Sequence, residues 1–408
     1  MKIDYRIPFG DLKIGKSARQ RIVEVLDSNW VSEGRFVREF EEKFAEKFNW
    51  KHAIATSSGT DAGIVVWSAV NELTSGRIME TSDEDHDFVK TKYIMTPACA
   101  FVATANCILA SGMIPWFIDV ELETLNLSST LLASKFQSHF AEIELGDITG
   151  IQFVATMGKP TPIKEIAKIA ENHDLYLIGD FCEAHGAQFI GRCSLPGYHT
   201  MAYADHICDA SIYSLYAAHL IVGGEGGIIC TDDDELAELC RSIKSHGRPA
   251  GSAEFQFINI GCNAKWNELC SAIALEGLEK FDETFRRRQE LRAMFIEKLR
   301  PLEDLFVLYD DGPGEIISPH AFPLVYRDEA AEVMPLRHHL ERAGIQTKSL
   351  FGSLPTDHGA FSFLGHKKGD FPVAEHIGRT GLHWGCHEHM TDEDVEYVCA
   401  VIREFHGR

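Results

Sequence analysis

The sequence predicts an α/β protein: a large domain with a mostly parallel central sheet flanked by helices, then a smaller C-terminal α/β domain. Three observations carry this reading. Apolar runs of strand length alternate with helical patterns from residue 52 to residue 231. One such run, Leu175-Tyr176-Leu177-Ile178, ends in Gly179-Asp180, and sheets of this kind bind ligands beyond the carboxyl ends of their strands. A long helical region from about Asn263 to Leu299 then leads out of the first unit into further strands and helices. With 408 residues the chain has room for both units. We place the large domain, N-terminal segment included, at residues 1–282 and the small domain at 283–408.

In chain order, residues 16–28 have helical apolar spacing and Val37–Phe48 is a second amphipathic helix, with Phe40, Phe44 and Phe48 on one face. Trp30-Val31-Ser32-Glu33-Gly34 separates them. The strand His52–Thr56 runs into Ser57-Ser58-Gly59-Thr60-Asp61 and an apolar helix, Ala62–Val70. Such a junction offers free N–H groups to an anion, although Ser-Gly-Thr at a helix start is also ordinary capping. Residues 72–91 are acidic; they do not have the spacing of an EF-hand and read as a solvated loop. Then come a strand at Tyr93–Thr96, a helix at Phe101–Ser111, a strand at Trp116–Asp119 and a helix from about Ser128. A strand at 151–156, a helix at 160–172 and the strand ending at Asp180 follow.

The stretch Ser211–Gly227 is the most unusual. A strand-like run, Ser211–Tyr216, ends in Ala217-Ala218-His219, and a glycine-rich turn precedes a strand at Ile228–Cys230. Small residues around one histidine suggest backbone packed close to a ligand, or simply a buried histidine beside a turn. A helix at Asp233–Ser245 and the loop His246-Gly247-Arg248 follow. The small domain reads as strands at Phe306–Leu308, His320–Tyr326 and 346–350, with helices at 329–343 and 391–406.

The net charge of −22 argues against a nucleic-acid partner, but not against a small phosphorylated ligand held by backbone amides. No apolar run approaches the ~18 residues of a membrane span. The start, MKIDYRIPFGDLK, lacks the apolar region of a signal peptide. The 11 scattered cysteines fit a reduced, cytoplasmic protein. His383, Cys386, His387 and His389 are dense, but their spacing matches no common zinc site; we read them as structural or substrate-side groups and expect no metal.

In this order and spacing, these pieces resemble the DegT/DnrJ/EryC1/StrS family of sugar aminotransferases, across nearly the whole chain. The marks are Trp30–Gly34 with Phe40-Glu41, Ser57–Thr60, Pro97–Asn106, Ile118-Asp119-Val120, Met157–Pro160, Gly179–Ala187, Glu225-Gly226-Gly227, His246-Gly247-Arg248 and Gly261–Lys265. The resemblance implies the type I PLP-dependent transferase fold and a homodimeric enzyme with shared active sites. It also implies a nucleotide-sugar substrate, an amino donor such as glutamate, and a place in deoxysugar or lipopolysaccharide biosynthesis. By this resemblance Asp180 pairs with the pyridine nitrogen of pyridoxal phosphate (PLP) or its amine form (PMP). Ser58, Gly59 and Thr60 hold the phosphate and Ser214 adds a hydroxyl. Phe101 stacks on the ring, Glu183 lies near the phenolic oxygen, and Asn263 with Lys265 belongs to the segment offered to the partner subunit.

One position departs from the family. The sixth residue counting from Ser214, where the aminotransferases carry the lysine that joins covalently to PLP, is His219. An imidazole cannot form a Schiff base, so the cofactor is expected to be held non-covalently. The same exchange occurs in a branch of the family, the nucleotide-sugar 3-dehydratases, which His219 and Gly224-Glu225-Gly226-Gly227 also resemble. The implied activity is removal of the C3 hydroxyl from a 4-keto-deoxy sugar, with His219 as base. Some of that branch carry an iron–sulfur cluster on cysteines after the His-Gly-Arg position; here Pro249–Ile260 contains none, and no cluster is expected. Around Lys348–Pro355 the longer polar signature of the known dehydratases is not found. The alternatives are a sugar aminotransferase, with a native histidine or an engineered replacement of the lysine, and a non-catalytic PLP- or sugar-binding homologue.

Overall fold

The computed structural model describes residues 5–75, 91–137, 147–190, 201–249, 251 and 254–408. Most of the acidic stretch expected as a solvated loop, residues 76–90, lies outside them. The strands are β1 (His52–Thr56), β2 (Tyr93–Pro97), β3 (Ile114–Ile118), β4 (Ile148–Val154), β5 (Tyr176–Asp180), β6 (Gln188–Ile190), β7 (Met201–Tyr203), β8 (Ala210–Ser214), β9 (Gly227–Thr231), β10 (Phe306–Val307), β11 (Glu315–Ile316), β12 (Ala321–Tyr326), β13 (Thr347–Ser349) and β14 (Gly381–Gly385). Seven of them form the main sheet in the order β1-β9-β8-β5-β4-β2-β3. Only β9 runs against the rest, pairing antiparallel with both β8 and β1.

Both faces of this sheet are covered, so its strands are apolar on both sides. Along β1, Ala53 and Ala55 point to one core and Ile54 to the other; along β9, Ile228 and Cys230 oppose Ile229. The first core is closed by Phe36, Phe40, Phe44 and Phe48 of the helix Arg35–Phe48 and by Leu275 and Leu278 of Glu268–Glu279. The second is closed by Val65, Val66, Trp67 and Val70 of the helix Gly59–Ser75. Buried acids secure the outer helices. Glu268 accepts from the amides of Phe36 and Val37 at 3.1 and 3.0 Å, and Glu276 from that of Ala18 at 3.0 Å. Each carboxylate satisfies amides that a helix start leaves without partners.

The long helical region breaks at Lys280 into Glu268–Glu279 and Phe281–Leu299. Beyond it, the small sheet has the order β10-β12-β14-β13 and is antiparallel throughout. Its core centres on Phe295, Phe322 and Trp384. Ile7 bridges Ile345 and packs into that same core, so the first described residues run with the small sheet although the sequence boundary grouped them with the large domain. A third sheet, β11-β6-β7, was not anticipated; its strands are only two or three residues long and carry no readable periodicity.

The registers bring the strand ends of the main sheet together. Thr56 and Ser214 both lie level with Gly227, and Asp180 lies beside Ile212 of β8. A Cβ at Gly227 would sit 2.3 Å from the carbonyl oxygen of Ser58. Gly227→Ala is therefore expected to cost on the order of 1–3 kcal/mol, as forced overpacking does. The check is the urea midpoint; an unchanged midpoint would contradict the close approach.

Candidate active site

The strand–loop–helix junction forms as the sequence suggested. The helix begins at Gly59 directly after β1. A Cβ on Gly59 would lie 2.9 Å from Cβ of Ser214 and 3.0 Å from Sγ of Cys182, so glycine lets the end of β8 close on the helix start. The Ser58 hydroxyl accepts from the amide of Asp61 at 3.0 Å. Ser58, Gly59, Thr60 and Ser214 thus share one corner, with first-turn amides available to a phosphate.

Asp180 ends β5 and is buried. Among the described residues its two oxygens accept from neutral donors, the Cys182 amide at 3.1 Å, the Thr104 hydroxyl at 3.2 Å and the Cys182 thiol. Burial raises its pKa, an effect those hydrogen bonds oppose. A cationic ring nitrogen would supply the counter-charge such a carboxylate lacks. Three residues on, Glu183 accepts from the Met157 amide at 2.8 Å. Burial and the nearby Asp180 push its carboxyl up to about 7, opposed by that amide and by Lys348. Phe101 is 58% exposed, which leaves a ring face free to stack.

His219 sits on a closed loop. The amide of Leu215 bonds to the Gly226 carbonyl at 2.9 Å and that of Gly223 to the Leu215 carbonyl at 2.8 Å, so the chain returns before β9 begins. The imidazole is buried, and burial lowers its pKa to about 3, with Arg288 and Lys348 adding to the effect. It is a neutral base at any physiological pH.

Several of its neighbours come from far along the chain. Nδ1 of His219 lies 3.2 Å from Nδ1 of His320, just before β12. Nε2 of His320 lies 3.8 Å from Oε1 of Glu183. The buried Arg288, from the helix Phe281–Leu299, donates to the carbonyls of His219 and His320 at 3.2 Å each and to Glu388 at 3.1 Å. Phe9 packs edge-on against both His320 and His383, and the Lys348 ammonium lies 3.9 Å above its ring. His320, Arg288, Lys348 and Phe9 were not among the site residues read from the sequence. The one available signal was His320 opening an apolar strand after Ser318-Pro319. Asn263 is not drawn into this cluster: it is exposed, and its backbone bridges Ser245. Of the C-terminal histidines, His383 faces the site from β14. Among the described residues no three His, Cys, Asp or Glu side chains group to hold a metal.

Residues 12–403 match the model of the DegT/DnrJ/EryC1/StrS aminotransferase family. The chain belongs to this family. It is 25% identical over 402 residues to GDP-perosamine synthase of Escherichia coli O157:H7, covering 98% of this chain and 99% of that one. It is 28% identical over 419 residues to dTDP-4-dehydro-2,6-dideoxy-D-glucose 3-dehydratase of Saccharopolyspora spinosa, covering 95% and 84%. The structure of Escherichia coli GDP-4-keto-6-deoxy-D-mannose-3-dehydratase with bound hydrated PLP superposes with a TM-score of 0.80 at 23% identity, covering 98% and 99%. This DegT-family chain is thus a type I PLP-fold enzyme, of a family that contains both sugar aminotransferases and sugar 3-dehydratases.

Two outcomes follow from this geometry. Truncating Arg288 to alanine leaves two buried carbonyls and Glu388 without their donor, and should destabilise the protein by roughly 3 kcal/mol in denaturant melts. Glu183 sets a pH dependence. Its folded-state pKa of about 7 exceeds the ordinary 4.5, so the fold holds that proton more tightly than the unfolded chain does. The stability this gives is complete below pH 4.5 and lost as pH rises through 7. Relative to wild type, cofactor-free Glu183→Gln should therefore gain up to about 3 kcal/mol at pH 8 and nothing near pH 4. A difference independent of pH would contradict the assignment.

Proposed function

We propose that this enzyme removes the C3 hydroxyl from a nucleotide-linked 4-keto-deoxy sugar, with PLP/PMP held non-covalently and His219 as the base. The single observation that carries this reading is His219 itself. By the family resemblance this buried, neutral imidazole stands where the aminotransferases carry their lysine, and it is linked through His320 to Glu183, three residues after Asp180.

The chain's own groups suit the task. Ser58, Gly59, Thr60 and Ser214 bind the phosphate, Asp180 holds the ring nitrogen as a cation, and Phe101 covers a ring face. The bound cofactor supplies an electron sink conjugated to the sugar. His219 takes a proton at its free ring nitrogen and, once protonated, can return it to the departing hydroxyl. Its burial excludes water from that exchange. With no primary amine at 219, nothing at this position competes for the cofactor's aldehyde. By the family resemblance, Asn263 and Lys265 serve the partner subunit's site in a homodimer, a role that the exposure of Asn263 supports. The sequence segment 249–260 contains no cysteine, in keeping with a reaction run without an iron–sulfur cluster.

A second reading, sugar transamination, is favoured by the full-length similarity to GDP-perosamine synthase. Product mass separates the two. Incubation with PLP, glutamate and a panel of nucleotide-linked 4-keto-6-deoxy sugars should yield a product lacking one oxygen. A product that gains an amine and keeps every hydroxyl would establish transamination instead. His219→Asn should keep cofactor absorbance and lose turnover by at least roughly 10²-fold; full activity in that variant would remove His219 from the chemistry.

A further inference from the structure

We infer that His320 fixes the tautomer of His219, holding the proton on Nδ1 so that Nε2 is the nitrogen that acts as base. This rests on the reading of His219 as the base and names the residue that orients it. The two Nδ1 atoms are 3.2 Å apart. At that distance one must donate and the other accept. Burial lowers the pKa of both rings, so the pair is neutral and has two arrangements to choose between.

Above pH 7, where its carboxyl is ionised, Glu183 selects between them. Its Oε1 lies 3.8 Å from Nε2 of His320. That is too long for a direct hydrogen bond but close enough for the carboxylate charge to favour the N–H edge of the ring. With the proton on Nε2, His320 presents a lone pair at Nδ1 and accepts the Nδ1–H of His219. Nε2 of His219, which hydrogen-bonds to none of the described residues, is then left with its lone pair. The other charged and titratable groups facing the pair are Arg288, Lys348, His185 and His383. Arg288 holds the backbone carbonyls of both histidines, which sets the spacing of the rings. When Nε2 of His219 takes a proton, the Nδ1–H bond and the Glu183 charge stabilise the resulting cation, and no proton leaves Nδ1. His320 is thus a positioning residue.

The test is long-range proton–nitrogen NMR of the full-length, cofactor-free protein labelled with ¹⁵N-histidine at pH 8, with signals assigned by His219→Asn and His320→Asn. The expected result is Nδ1–H on His219 and Nε2–H on His320; a proton on Nε2 of His219 overturns the inference. In the kinetic arm, His320→Phe should lower kcat about 100-fold with KM for the sugar unchanged. His320→Asn, which offers an amide oxygen near the Nδ1 position, should recover most of that loss. Wild-type kcat and an unchanged His219 tautomer in His320→Phe would sink the positioning role even if His219→Asn is inactive. An active His219→Asn would sink the base assignment and leave the tautomer measurement standing.

Discussion

The guanidinium of Arg288 is the contact on which the site depends. Its helix belongs to neither histidine's segment, yet it binds the carbonyls of His219 and His320 and pairs with Glu388. A buried arginine is stable only when its donors are used, and here much of its hydrogen-bonding capacity is spent on fixing two loops relative to each other. The glycine-closed loop at 215–226 is tied to this cation through the His219 carbonyl. The same charge, next to a dry imidazole, helps keep that imidazole unprotonated.

The electrostatics of the pocket follow one pattern. Burial raises the pKa of Asp180 and Glu183 and lowers that of His219, His320 and His383. Acids and bases are both shifted toward their neutral forms, as burial in a low-dielectric interior requires. A phosphate at the helix start and a cationic ring beside Asp180 would supply opposite charges at opposite ends.

The groups legible in the sequence are those attached to strand ends. Ser57–Thr60, Asp180 and His219 each follow an apolar run in a sheet whose topology delivers them to one edge, and local pattern is enough to find them. His320 and Arg288 could not be found this way. Their relation to His219 is set by how the helix Phe281–Leu299 crosses the strand ends, across sequence separations of 101 and 69 residues. The small sheet's apolar strands were visible, but its antiparallel order was not, since that depends on pairings such as Ala321 with Gly385, far apart in the sequence. The third sheet exists because Glu315 and Ile316 find partners on β6, which two-residue strands do not advertise.

Phe9 ties the histidine pair to a strand of the small sheet. It touches His320 and His383, and its neighbour Gly10 lies against Ala218. Segments more than 300 positions apart in the sequence thus pack together beside the histidine pair. A slip of β14 by one residue would turn His383 to the opposite face of its sheet and take it away from Phe9.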